Sequence, residues 1–191
     1  MDFLKLAQGL VERASSGEMQ AEALVMQSEN TMIRVQSGEV VEMSSADSKG
    51  VGVRVISGGR TGFSFTSDFH APSLERTVDD ALALAASADA DEYRGLPDVE
   101  GQGPVERDLG VYDPALSSWG TENKIAFLLA VEGACLGHDR RVVATSYCTY
   151  QDHVSRTFLA NSRGFAGSHE WTGAIAYLRA VAEDETGQTA G

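Results

Sequence analysis

The chain has 191 residues, 42% of them hydrophobic and 23% charged, a formal net charge of −13 and two cysteines. That balance describes globular material in one large or two small domains with a real core. It excludes a helical membrane span, for want of about 18 consecutive apolar residues, and argues against direct nucleic-acid binding, because no basic cluster is available to supply the phosphate contacts.

Met1-Asp2-Phe3-Leu4-Lys5 lacks the basic-then-apolar pattern of a secretory leader, and Cys135 and Cys148 show no CxxC spacing, so a cytoplasmic protein with two buried free thiols is expected. Leu4, Leu6, Ala7, Leu10, Val11 and Ala14 recur at helical spacing, with Asp2 placed to cap the start and Ser15-Ser16-Gly17 to end it. The period then falls to two. Short strands are expected over 22–28 and 31–36, separated by Glu29-Asn30, and lead into a meander that organises the chain from Val35 to Asp68.

That meander reads as strands over 35–42, 49–56 and 61–66 with a polar gap and the Ser57-Gly58-Gly59-Arg60 turn between them. In its central strand Val51, Val53 and Val55 fall on one face, and Gly50, Gly52 and Arg54 on the other. Glycine in a strand marks close approach by something else. Gly50, Gly52, Arg54 and Gly62 are therefore candidates for a substrate- or partner-facing wall, beside the alternative of a bulge or a helix packed on the sheet.

Asp68 and Pro72 suit the opening of a second helix over 72–87, striped by Leu74, Val78, Ala81, Leu82 and Ala85. Residues 88–118 hold three of the four prolines and should form a long irregular connection. The window from Asp68 to Asp113 carries twelve acidic residues against three basic ones. A solvated acidic tether is expected, dividing 1–87 from 119–191. Thr121 is placed to cap a third helix buried along Ile125, Leu128, Leu129 and Leu136, with Glu132 near that stripe as a solvated flank or an ion-pair partner. Strands follow over 142–150, 153–160 and 165 to about 181, with a tight turn at Asn161-Ser162-Arg163-Gly164. The fold class expected is α+β, an antiparallel meander sheet with helices mainly on one face.

Catalytic spacing is missing. HExxH, HExxxH, GxSxG, a Walker A loop and GxGxxG after a strand do not occur. His70, His138, His153 and His169 lie far apart. A two-to-two hairpin at 161–164 would set His169 opposite Arg156, not opposite His153, so no metal pair is expected. No catalytic residue and no metal ligand is assigned.

An ordered set of short pieces nevertheless resembles a known family. Arg34-Val35-Gln36-Ser37-Gly38-Glu39-Val40, Lys49-Gly50-Val51-Gly52-Val53-Arg54-Val55, Gly59-Arg60-Thr61-Gly62-Phe63 and Thr66-Ser67-Asp68 are followed by Gly95-Leu96-Pro97-Asp98, Tyr112-Asp113-Pro114 and Leu159-Ala160-Asn161-Ser162-Arg163-Gly164-Phe165. Together they resemble the amino-terminal domain of the TldD/PmbA family, also described as modulators of DNA gyrase, across nearly all of residues 1–191. The Gly-Leu-Pro-Asp and Tyr-Asp-Pro pieces look more like the PmbA (TldE) branch. The resemblance implies a non-catalytic partner domain of a cytoplasmic TldD/TldE-type metallopeptidase that processes unfolded peptides, dimerising with a related TldD-type chain or with itself. It places zinc only in the carboxy-terminal domain of the TldD-type partner, a region that the 191 residues do not contain. The other readings are the amino-terminal piece of the zinc protease itself and a gyrase-modulating binding module.

Overall fold

The computed structural model describes residues 1–98, 107–185 and 187–190. Among the described residues, four helices and six strands follow in the order α1 (Phe3–Ala14), β1 (Gln20–Gln36), β2 (Glu39–Ser57), β3 (Arg60–Thr66), α2 (Ala71–Ser87), α3 (Pro114–Ser118), α4 (Thr121–Leu136), β4 (Val142–Asn161), β5 (Ala166–Asp184) and β6 (Gly187–Ala190). The strands form one antiparallel sheet in the order β3-β2-β1-β4-β5-β6, and the class is α+β as expected. None of the described helices is long and apolar enough to cross a membrane.

The chain divides into two compact units. Unit one comprises Met1–Ser28, Ser48–Leu109 and Ser155–Glu170; unit two comprises Glu29–Asp47, Gly110–Val154 and Trp171–Gly191. These units, grouped by contact, do not follow the chain order on either side of 88–118, because long-range strand pairing, which composition does not record, decides which segments pack together.

In unit one, α1 begins where expected: the Asp2 carboxylate accepts from the Lys5 N–H at 3.1 Å. Ala7, Leu10 and Val11 of α1 and Leu74, Val78 and Ala81 of α2 pack against Val51, Val53 and Val55 of β2. Removing these side chains from water is worth roughly 1.5–3 kcal/mol for each large one, which anchors both helices on one face. Phe3 sits between Phe69 and Phe158, with centroids 5.7 and 5.5 Å away. The β2–β3 hairpin turns through Gly58 and Gly59 at φ 55° and 76°. The connection after α2 is partly docked and not a free tether: Asp91 N–H donates to Gly59 O at 3.0 Å, Leu96 N–H to Gln20 Oε1 at 2.8 Å, and Leu96 is buried. Residues 99–106 of the expected loop lie outside the described residues.

In unit two, α4 covers Ile33 and Val35 of β1 and Cys148 and Tyr150 of β4 through Leu128, with Trp119 and Ile125 alongside. Gly120, not Thr121, takes the N-cap position, and no side chain bonds the first turn. The short α3, capped by Asp113 Oδ1 accepting from Ala115 N–H at 2.8 Å, and β6, paired to Val181–Asp184, were not expected. Both thiols are free.

Each expected break inside a strand is absent. β1 runs through Glu29-Asn30, β2 through 43–48, and β4 through 150–153. Residues 39–49 of β2 are exposed throughout, so no apolar alternation marks them. Cross-strand pairs such as Ser28 Oγ to Ser48 Oγ, 2.7 Å apart, accompany the pairing instead. Tyr147 lies at φ 58° inside β4, a left-handed residue that kinks the pleat and disturbs its periodicity.

Ser37 and Gly38 close the β1–β2 hairpin at φ 55° and 77°. A serine held there is strained by about 1 kcal/mol. Ser37→Gly should therefore raise stability by roughly 0.5–1 kcal/mol, read as a higher urea midpoint with an unchanged slope; a lower midpoint would contradict that strain.

Candidate functional site

The sequence candidates separate into two faces. Val55 pairs with Gly62 and Arg54 with Phe63, so Gly62 lies on the helix-covered side and not with Gly50, Gly52 and Arg54. A Cβ built on Gly62 would fall 1.9 Å from Ala81 O and 2.4 Å from Ala85 N of α2. Gly62 is a helix-packing glycine, which removes it from any open wall. Gly52 lies under the Phe63 ring, whose nearest carbon is 2.9 Å from such a Cβ. Arg54 is held by Glu22 at 2.9 Å. The open side of this hairpin carries the exposed, stacked Phe63 and Phe65, with centroids 6.2 Å apart.

Glu132 is neither solvated nor ion-paired. Its side chain is 1% exposed and accepts from Ser37 N–H at 3.0 Å, Gly38 N–H at 2.8 Å and Thr145 O–H at 2.5 Å. Burial, the largest single influence, raises its pKa, but the Thr145 hydroxyl and the Gly38 and Ser37 amides together outweigh it and leave the carboxyl below its ordinary value. About two turns earlier on α4, Lys124 reaches across to Asp152, which also accepts from Tyr150 O–H at 2.9 Å. Burial first, and then that bond to Asp152, pushes the Tyr150 phenol up. Both clusters are fully occupied with holding α4 against the strands.

Asp68, His70 and Ser73 meet at the start of α2 without forming a relay. Ser73 O–H donates to Asp68 Oδ2 at 2.6 Å and His70 Nδ1 lies 2.5 Å from Asp68 Oδ1, so serine and histidine both address the carboxylate and not each other. The Ser73 hydroxyl and then the His70 N–H hold Asp68 well below the usual carboxylate range.

A groove of about 510 Å³ lies in unit two. Its polar centre is His153, whose Nδ1 is 2.6 Å from Asn30 Oδ1 and whose ring lies 4.6 Å from that of Trp171. None of these three was a sequence candidate as a group. Asn30 and His153 are 123 positions apart, and only the strand order brings them together. The turn after β4 also closes one residue wider than expected: Asn161 N–H donates to Phe165 O at 2.9 Å, and Arg156 meets Glu170 at 3.2 Å. His169 therefore does not occupy the place opposite Arg156.

Zinc activates water when three or four nitrogen, sulfur or oxygen side chains converge on it. Among the described residues no group of three or more His, Cys, Asp or Glu is arranged to hold a metal ion. The described residues do not fit that cofactor.

Residues 21–85 match the family described as PmbA/TldA metallopeptidase domain 1, and residues 114–191 match the PmbA/TldA metallopeptidase central domain. A metalloprotease PmbA homolog of Haemophilus influenzae is 24% identical over 159 residues, covering 83% of this chain and 35% of that protein. The metalloprotease PmbA of Escherichia coli O157:H7 is 26% identical over 154 residues, covering 81% of this chain and 34% of that protein. Thus the chain spans about a third of the length of the curated relatives it matches. Among solved structures, a proposed modulator of DNA gyrase from Bacteroides thetaiotaomicron superposes with a TM-score of 0.84 at 23% identity, over 100% of this chain and 44% of that one. These structural likenesses establish the fold alone.

Proposed function

The chain belongs to the PmbA/TldA metallopeptidase family, and from that premise we propose that these 191 residues serve as a non-catalytic scaffold and partner domain of a cytoplasmic TldD/TldE-type peptidase assembly. Its substrates are unfolded peptides, and its partner is a related TldD-type chain or a second copy. Zinc is supplied by the carboxy-terminal domain of the TldD-type partner. The observation that carries the reading is the disposition of the chain's own ligating groups. His153 and His70 are already engaged by Asn30 and Asp68, Glu132 is engaged by the β1–β2 turn, and the described residues gather no metal-holding cluster. The regions matched are domain 1 and the central domain, in keeping with that division of labour.

The test is metal content together with peptidase activity on the purified chain. Incubated with zinc and passed through a desalting column, it should retain well under one equivalent and should leave an unfolded polypeptide uncut. One equivalent of retained zinc accompanied by hydrolysis would overturn the proposal.

A further inference from the structure

The groove in unit two has a recognition centre that the scaffold role leaves unused. Asn30 Oδ1 is a carbonyl oxygen and only accepts, so at 2.6 Å it fixes the proton of His153 on Nδ1. In the neutral ring Nε2 then presents a lone pair. Trp171, with its ring centroid 4.6 Å from the imidazole, restrains the plane of that ring.

The surroundings are small or apolar. Ser44, Ala46 and Gly173 are short and leave a pit, while Met32 and Ile175 line it. The indole of Trp171 reaches across Gly173, where a Cβ would lie 3.1 Å from its ring. Asp152 is the one carboxylate lining the groove, and it is already met by Lys124 and Tyr150. The described lining holds no lysine or arginine to attract an anion, and the net charge of −13 disfavours one. A flat neutral group bearing one hydrogen-bond donor suits such a surface. The groove is open along its length and would leave a lone small molecule largely in water, whereas binding sites for free ligands bury most of the ligand's surface. A side chain carried on an extended chain brings the remaining contacts with it.

We propose that this pit takes a tyrosine or tryptophan side chain of an unfolded peptide, whose O–H or N–H donates to His153 Nε2 while its ring packs against Trp171 and Ile175. The inference rests on the reading that the domain handles unfolded peptides, and it adds a preference within them.

The experiment uses the 191-residue chain and fluorescently labelled Gly/Ser-rich peptides that differ at a single central position, tyrosine or phenylalanine, followed by anisotropy. One net hydrogen bond corresponds to about a five- to tenfold tighter dissociation constant for tyrosine. His153→Phe, which keeps a ring and removes the acceptor, should bring the two peptides to equal affinity. His153→Gln, which restores an acceptor, should recover part of the difference, and Trp171→Ala should weaken both peptides together. Circular dichroism on each variant confirms folding. Equal affinities for the two peptides in the unaltered chain, a tyrosine preference that survives His153→Phe, or no peptide binding at all would each overturn the inference. So would N-acetyl-tyrosinamide binding as tightly as the peptide, since the occupant would then be a free aromatic compound. These outcomes leave the scaffold reading to the zinc and hydrolysis assay, which does not depend on the groove.

Discussion

Glu132→Ala should lower the stability of the chain by roughly 2–4 kcal/mol, because it takes the acceptor from two part-buried backbone donors and from the buried Thr145 hydroxyl. The carboxylate spans from α4 to the left-handed Ser37–Gly38 turn and to Thr145 of β4, so one side chain fixes a helix, a hairpin and a neighbouring strand. For a chain of this size the loss corresponds to a fall in Tm of about 10 °C. Glu132→Gln keeps one acceptor and should lose less. The pH dependence gives an independent check. The folded pKa of Glu132 lies below its ordinary 4.5, so its contribution is present in full above that value and is lost as pH falls through the folded pKa. The difference in urea midpoint between the natural chain and Glu132→Gln should therefore shrink on acidification below about pH 4.5. A difference that stays constant through that window would mean that ionisation at Glu132 is not what secures the turn.

Gly62→Ala is the second severe substitution, expected to cost roughly 3 kcal/mol or more. The added methyl would stand 1.9 Å from the Ala81 carbonyl and 2.4 Å from the Ala85 nitrogen, both backbone atoms of α2 that cannot rotate away. Relief requires sliding the helix off Val53 and Val55, which opens the core of unit one. Gly52→Ala is the matched control. Its Cβ is crowded by the exposed ring of Phe63, which can swing aside, while the Ser64 carbonyl oxygen stands at an ordinary 3.9 Å, so the cost should stay near the ordinary packing scale of about 1 kcal/mol. Comparable urea midpoints for the two variants would refute the packing role assigned to Gly62.

The helices of unit one were legible because their signals are local. Asp2 sits in front of the α1 stripe, and Leu74, Val78, Ala81 and Ala85 form one row along α2. Val51, Val53 and Val55 were legible for the same reason, since alternation states which face is buried. For Gly62 the sequence left open a wall or a helix packed on the sheet, and could not choose because its face follows from pairing with Val55 and a glycine carries no side chain to report it. The polar middle of β2 could not be read as strand, since an exposed ribbon shows no burial rhythm. Glu132 did leave a trace: it follows Leu128 by one helical turn and so had to share its buried row. What it holds there, Ser37 and Gly38, lies almost a hundred positions upstream. The Asn30–His153 contact left no trace of any kind, because its partners meet only through the β1–β4 neighbourhood in the sheet.

The interleaving of the two units bears on how the polypeptide is made. Unit one draws its last segment from Ser155–Glu170, and unit two draws one from Trp171 onward. On the ribosome, therefore, neither can finish closing until most of the 191 residues have left the exit tunnel. Nascent β1 must wait with its β4-facing edge unpaired until residues 142–161 emerge, a state prone to wrong association. Translation speed and holding chaperones should influence the yield of this protein more than that of one whose units follow each other along the chain.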